Sequence, residues 1–272
     1  MADQTPIDIR NLASLLDDPD ETVAISAMAE LLNREHELGE LPAELQESSS
    51  PLMRRRAHQL QSALTMIRRR RYLAELLRSD EMDFLDALIQ IHLQWFDNDS
   101  ETGLHKKISN FCRELNFHPS GTLEEIADAF AGCGITPAPV TTLKVEQYCL
   151  GVMLDEKCGA AALWCGIICA LYKEHHLTVI RYQGRFAVKS STCIMIPENN
   201  WQPSPLPPLD EIEYWELKNL LQLAVMTLFS AAVNSDSFRY ILTLSQAFTG
   251  METVDSLGTL PYPYNPEPDQ FS

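Results

Sequence analysis

The chain has 272 residues, and its 45% hydrophobic content is enough to fill the core of one large domain or of two small ones. Lys and Arg number 21 against 38 Asp and Glu, so the formal net charge of −17 repels nucleic acid and anionic lipid. We therefore expect neither nucleic acid nor a membrane as a partner.

The N-terminal segment and the cysteines together predict a cytoplasmic protein with reduced thiols. MADQTPIDIRNL has no apolar stretch behind a basic start, unlike a secretory signal. Seven cysteines, an odd number without CxxC spacing, argue against a disulfide framework. The longest apolar run, Ala160 to Tyr172, is shorter than the roughly 20 residues that a membrane-spanning helix needs. In a soluble protein such a run predicts a helix at the centre of the core.

The first part of the chain predicts two similar helical units. After a turn that starts at Asp17, Asp20 is a plausible N-cap for the helical pattern ETVAISAMAELL. The second unit, SSSPLMRRRAHQLQSAL, has Ser50 as the cap and Pro51 at the first helical position. The pair resembles degenerate HEAT-type repeats, and we predict a HEAT-like region over residues 1–78.

A basic run, Arg68 to Arg71, follows the second unit. Consecutive helical residues lie about 100° apart, so four arginines in a row surround the helix and do not form a stripe along it. We expect a solvated or ion-paired face here, with phosphate binding as the alternative.

The middle of the chain predicts helices followed by a small sheet. Residues 82–132 indicate three helices, the last of which ends on Gly132. Another helix is predicted from Lys144 to about Asp155, and Gly159 then opens the apolar helix. The β-prone segments LTVIRYQ, RFAVKS and TCIMI predict three antiparallel strands.

Prolines dominate the next segment. PENNWQPSPLPPLDE contains five of the sixteen prolines and predicts an extended connection. Trp201 and the nearby prolines could form an aromatic ligand groove, but we expect Trp201 to anchor the connection. YWELKNLLQLAVMTLFSAAV and SDSFRYILTLSQAF predict a helical hairpin around Asn234. The last residues show no pattern for burial and predict a disordered tail.

The order of these segments resembles the bacterial SirB family, which carries a transglutaminase-like core. VEQYCLGVMLDEKCGAA matches the segment that leads into the central helix of that family, and the resemblance covers residues 82–250. It implies an α+β fold, mostly α, in which a central buried helix packs on a small antiparallel sheet between helical repeats. The implied organisation is HEAT-like repeats at 1–78, a SirB-type transglutaminase-like domain at 79–200, a Pro-rich linker at 201–212, a tetratricopeptide-like hairpin at 213–250 and a tail at 251–272.

The resemblance also implies where a catalytic site would lie. Active relatives use a cysteine at the N-terminus of the central helix, a histidine on the sheet and an acid that orients the histidine. The cysteine position falls at Ala161, the histidine position at Arg185 and the acid position at Glu198. Alanine has no nucleophile, and arginine cannot accept a proton at neutral pH. We therefore predict a pseudoenzyme whose vestigial site comprises Cys158, Gly159, Ala161, Arg185 and Glu198, with Ala161 facing Arg185.

Cys158 at the helix start is the alternative nucleophile. His175 lies beyond the other end of the helix, and 17 helical residues would separate the two by about 25 Å. The earlier histidines His92, His105 and His118 can reach Cys158 only through tertiary contact. We predict that Cys158 is an inert thiol.

Two further cysteines, Cys165 and Cys169, lie one helical turn apart within the apolar run. This spacing is compatible with joint zinc ligation, but a second ligand pair at recognisable spacing is missing. We predict that both are buried packing residues and that the protein uses neither a metal nor a cofactor.

The sequence favours a non-catalytic protein-interaction or regulatory protein with a protein partner, because helical repeats present extended surfaces. One alternative is a thiol hydrolase or acyltransferase that uses Cys158 with an unexpected base. A second is binding of a small molecule or peptide in a vestigial pocket near Ala161, Arg185 and Glu198. Arg185 would suit a carboxylate or a phosphate there.

Overall fold

A computed structural model describes residues 8–79, 81–116, 122–139, 144–235 and 237–249. The chain divides into two compact units, Met1–Arg69 and Arg70–Ser272. This boundary falls inside a long helix, Pro51–Arg78, whereas the sequence predicted it after residue 78. The predicted tail at 251–272 lies outside the described residues.

The helices and strands follow one another along the chain. They are α1 (Ile9–Ser14), α2 (Glu21–Asn33), α3 (Leu41–Gln46), α4 (Pro51–Arg78), α5 (Phe84–Trp95), α6 (Glu101–Glu114), α7 (Leu123–Gly132), β1 (Thr136–Pro137), α8 (Leu150–Glu156), β2 (Cys158–Gly159), α9 (Ala161–Leu171), β3 (Thr178–Tyr182), β4 (Arg185–Lys189), β5 (Cys193–Met195), β6 (Pro203–Pro205), β7 (Glu213–Trp215), α10 (Leu217–Asn234) and α11 (Phe238–Thr249). Short 3-10 turns lie between several of these elements.

The first unit contains α1, α2, α3 and the first part of α4, and both predicted N-caps are confirmed. The Asp20 carboxylate accepts a hydrogen bond from the Thr22 N–H at 2.8 Å, and Ser50 Oγ accepts one from the Met53 N–H at 3.3 Å. These bonds satisfy amides that a helix start leaves without a partner. The helices bury a shared leucine core that includes Leu12, Leu16, Leu31, Leu60 and Leu64. The HEAT-like character of this unit stays a prediction.

A buried arginine fixes the turn between α1 and α2 to α4. Arg56 Nη1 donates hydrogen bonds to the carbonyl oxygens of Leu16 at 2.8 Å and Asp18 at 2.5 Å. Hydrogen bonds from a charged donor contribute about 1.5–3 kcal/mol each. Arg56 is therefore a structural link within the first unit.

In the second unit, side-chain caps define the starts of the three predicted helices α5, α6 and α7. Asp83 accepts from two amides at the start of α5, and Ser100 Oγ accepts from an amide of α6 at 3.1 Å. At α7, Thr122 and Glu125 form a reciprocal capping box with hydrogen bonds of 3.2 and 2.7 Å. The helix ends at Gly132, as the sequence predicts.

The predicted helix from Lys144 to about Asp155 is wrong in its first half. A 3-10 turn, Val145–Tyr148, comes first, and Cys149 is extended with φ −101° and ψ 121°. The α-helix α8 starts only after it. The reason is local, because the Cys149 N–H bonds to the Glu146 carbonyl at 2.8 Å and closes the chain into the tighter turn.

The five-stranded antiparallel sheet has the order β6-β5-β4-β3-β7. The three predicted strands β3, β4 and β5 form its centre. The proline-rich segment adds β6 next to β5, and the residues before α10 add β7 next to β3. The structure therefore differs from the predicted division, since the linker at 201–212 and the start of the hairpin belong to the same sheet.

Helix α9 lies at the centre of the second unit. Nine consecutive residues, 162–170, are buried, and the helix packs on β3, β4 and α10 and on α5. The prediction of an α+β fold, mostly α, with a buried helix on a small antiparallel sheet is confirmed. A specific transglutaminase-like core stays a proposal.

One helix among the described residues, α10, has the length and the apolar composition of a membrane span. It packs on α5, α9 and α11 and buries seven residues against them. A core helix of a folded protein has this same composition, so α10 is weak support for a membrane segment.

We expect the same glycine-to-alanine substitution to have opposite effects at two positions. A Cβ on Gly166 would lie 2.4 Å from Phe84 Cζ, so Gly166→Ala should destabilise the second unit by about 1–3 kcal/mol. A Cβ on Gly132 would meet nothing within 4 Å, so Gly132→Ala should stabilise by up to about 1 kcal/mol.

Urea unfolding followed by tryptophan fluorescence measures both effects, since all four tryptophans lie after Arg69. Equal free energies of unfolding for the two variants would contradict the close packing of α9 against α5.

Candidate functional site

The N-terminal end of α9 holds three of the predicted site residues. Cys158 and Gly159 form β2, which pairs in parallel with β1. Cys158 is half-buried, and its Sγ accepts a hydrogen bond from Gln147 Nε2 at 3.5 Å. Gly159 is required by close packing, because a Cβ there would lie 2.5 Å from Met153 Cγ and 3.1 Å from the Gln147 carbonyl oxygen.

Ala161 is the first residue of α9 and is half-buried. Ala160 precedes it as the N-cap, and its side chain makes no capping bond. The helix start therefore presents backbone N–H groups, which attract partial negative charge, but no nucleophilic side chain. The thiol closest in sequence is Cys158, which lies outside the helix on β2.

Strand alternation places Arg185 on the face of the sheet that points away from α9. Val188 belongs to the core that contains α9, whereas Ala187 belongs to a separate cluster on the other face. Arg185 is two residues from Ala187 and shares its face, since side chains alternate along a strand. Phe186 is the residue that packs toward α9. Arg185 therefore lies on the face of the sheet opposite to the one that packs on α9, which disagrees with the predicted arrangement of Ala161 opposite Arg185.

Glu198 is exposed in the 3-10 turn Pro197–Asn199, which packs on α9. Burial raises the pKa of the Cys165 thiol well above its ordinary value, and the charges of Cys169 and Glu198 add to this effect. The turn that carries Glu198 also contacts β1, the partner of β2 at the start of α9. The structure therefore brings this turn near the start of α9 and leaves Arg185 on the other face of the sheet.

The histidine nearest to Cys158 in the downstream sequence lies at the opposite end of α9. His175 is in a 3-10 turn after the helix, where its ring lies 5.9 Å from the ring of Tyr172. The eleven residues of α9 alone span about 16 Å, so the helix holds His175 far beyond hydrogen-bond reach of Cys158. His105 contacts Asp86 on the surface, and His118 lies outside the described residues.

His92 is a buried residue whose role the sequence reasoning missed. It is 1% exposed, its Nε2 donates to Asp99 Oδ2 at 2.7 Å, and its Nδ1 accepts from the Gly151 N–H at 3.2 Å. Burial lowers the pKa of His92, and the hydrogen bond that His92 donates to Asp99 acts in the opposite direction. Both ring nitrogens are occupied, so His92 links α5 to the start of α8 and has no free nitrogen for a base.

The thiols within α9 are packing residues, as the sequence predicts. Cys165 is fully buried and Cys169 is 8% exposed. Burial raises the pKa of Cys169 to about 12 and raises the pKa of Cys149 as well. Across the part of the chain that the structure describes, no three His, Cys, Asp or Glu side chains are grouped to hold a metal ion.

Comparison of the chain with protein families, with curated proteins and with solved structures found no match. The chemistry of this site therefore rests on the contacts described above.

We expect thiol labelling of the native protein to divide the cysteines into two groups. Cys165 and Cys169 should react slowly, because they are buried and carry little thiolate at neutral pH. Cys158, which is half-buried, should react faster. Labelling with iodoacetamide followed by peptide mass spectrometry measures each rate, and rapid reaction at both α9 thiols would contradict their burial.

We expect the stability of the second unit to decrease as the pH falls below about 6.5, the pKa of an unfolded histidine. The folded state lowers the pKa of His92, so the unfolded chain binds the proton more readily. The stabilisation is complete above the unfolded pKa and is lost as the pH falls through the folded pKa. For one proton the slope is at most about 1.4 kcal/mol per pH unit.

Urea unfolding between pH 8 and pH 5 tests this in the wild type and in His92→Gln, which should lose that part of the slope. His105→Gln, at an exposed histidine, is the matched control. An unchanged slope in His92→Gln would contradict the role of His92.

Proposed function

We propose that the protein is a non-catalytic interaction or regulatory protein built on a degenerate transglutaminase-like core of the SirB type. The order of elements supports this reading, since a central helix with an empty nucleophile position packs on a small antiparallel sheet. The function is to bind a protein partner, and the chain carries out no acyl transfer or amide hydrolysis.

The observation that carries the proposal is that no cysteine thiol at the start of α9 is paired with a histidine base among the described residues. Thiol catalysis needs a thiolate and an imidazole within about 3 Å, together with donors for the oxyanion. The start of α9 has backbone donors but an alanine where the thiol belongs. Cys158 Sγ accepts a hydrogen bond from the side-chain amide of Gln147. Both ring nitrogens of His92 form hydrogen bonds with other groups, Asp99 and the Gly151 N–H.

Two rival functions have weaker support. A thiol hydrolase is favoured only by the partial exposure of Cys158 at the entrance to α9. The alternative of a ligand pocket near Ala161 is weakened, because Arg185, the residue expected to bind an anion there, lies on the other face of the sheet. Cytoplasmic location and the absence of a cofactor belong to the same proposal.

We expect no thiol-dependent turnover in a broad screen for acyl transfer and amide hydrolysis. The screen compares the wild type with Cys158→Ser and with Cys193→Ser, a matched change at another half-buried thiol. Turnover that Cys158→Ser abolishes and Cys193→Ser retains would establish the thiol hydrolase and reject the proposal. Equal turnover in all three proteins would indicate a contaminant or a site without a thiol.

A further inference from the structure

The proline segment, which we define as residues 203–211 with the sequence PSPLPPLDE, starts as strand β6 and continues into residues that prolines hold extended. Pro205, Pro207 and Pro208 have φ fixed near −65°, and the residue before each proline is restricted to extended conformations. Pro208 has φ −54° and ψ 137°, which lie near the values of a polyproline II helix. The 3-10 turn Leu209–Glu211 ends the segment.

Four apolar side chains of the proline segment face the solvent. Pro205 and Pro208 are exposed, and Leu206 and Leu209 are 37% and 69% exposed. Pro207 between them is half-buried. The segment therefore presents two prolines at PxxP spacing together with two leucines.

Both ends of the proline segment are anchored in the fold. Trp201 precedes it, is fully buried, and donates from Nε1 to the Ile135 carbonyl at 2.9 Å. Residues 203–205 pair with β5, and β7 pairs with β3 just after the segment. A peptide held in its bound conformation loses less entropy on binding, so the anchoring favours recognition.

The exposed prolines and leucines are apolar, but the residues that follow them are acidic. Asp210, Glu211 and Glu213 are all exposed. A partner that covers these four side chains must come close to this negative charge, and complementary positive charge would accelerate and orient the encounter. The positive side chains therefore belong on the rim of the partner's groove.

We propose that the proline segment is a docking ligand for a protein domain whose groove is lined with aromatic side chains and rimmed with Lys and Arg. Aromatic grooves of this kind recognise PxxP segments in the polyproline II conformation, and Pro205 and Pro208 have that spacing. The inference rests on the proposed function in that it names the class of partner that an interaction protein would bind.

The test uses the intact chain and a panel of purified SH3 domains that differ in the charge of the groove rim. Each ¹⁵N-labelled domain is titrated with the unlabelled chain. We expect groove resonances to shift in domains with a basic rim, and an acidic rim should weaken binding by about tenfold or more. Asp210→Asn with Glu211→Gln should remove part of that preference and reduce the salt dependence.

Substitutions in the proline segment then locate the contact. Pro205→Ala with Pro208→Ala should weaken binding by about tenfold or more, and so should Leu209→Ala, a change at an exposed side chain that leaves the fold unaffected. Pro19→Ala, at an exposed proline in the first unit, is the matched control and should bind like the wild type.

Two results would overturn the inference. One is the absence of any basic-rim domain that binds more tightly than about 1 mM. The other is equal binding by the wild type and by Leu209→Ala. Failure of this inference is distinct from failure of the proposed function, because turnover that depends on Cys158 would reject the function and leave binding by the proline segment intact.

Discussion

The structure of the second unit depends on covering one helix that is apolar on every side. Nine consecutive residues of α9 are buried, so each face of the helix needs its own neighbour. The sheet covers one side, α5 and α10 approach closely at Gly166, and a row of aromatic rings continues from Trp164 through Phe111 and Phe130 to Trp201. Burial of apolar surface contributes about 25 cal/mol per Å², and a central helix concentrates that contribution in one element.

The same burial explains why the cysteines and the histidine in the core are unreactive. The thiols of α9 serve as small apolar side chains, and the absence of water raises their pKa. His92 also has a structural role, since its two ring nitrogens form hydrogen bonds with Asp99 and with the backbone at the start of α8. A catalytic imidazole needs one nitrogen for the nucleophile and one for its orienting acid. In His92 a backbone amide occupies the place of the nucleophile, and the residue therefore stabilises the fold.

The sheet connects the core to the surface that we propose for binding. Its central strands carry one set of apolar residues toward α9 and a second, smaller cluster on the outer face. The proline-rich residues complete the sheet as edge strand β6, an edge position that proline tolerates because it needs no donor on its outer side. The edge holds the proline segment extended, and the buried indole of Trp201 fixes where the segment begins. Core packing thus determines which prolines and leucines remain exposed.

Local patterns were sufficient to predict the caps at Asp20 and Ser50, the end of α7 at Gly132, the buried helix, and the three central strands. Each of these depends on residues that are close in the sequence, such as a side chain that bonds to an amide two or three positions away. The strands β6 and β7, the union of the linker with the sheet, the burial of His92 and the strand face of Arg185 depended on tertiary contacts. Prolines are unfavourable in strands, so the sequence of β6 does not indicate a strand. The partners of a histidine cannot be predicted from the sequence around it. A shift of one residue in a strand moves a side chain to the opposite face. The sequence by itself therefore determined most of the helices and the three central strands, while only the tertiary structure decided which side chains meet, because those contacts join residues that are distant along the chain.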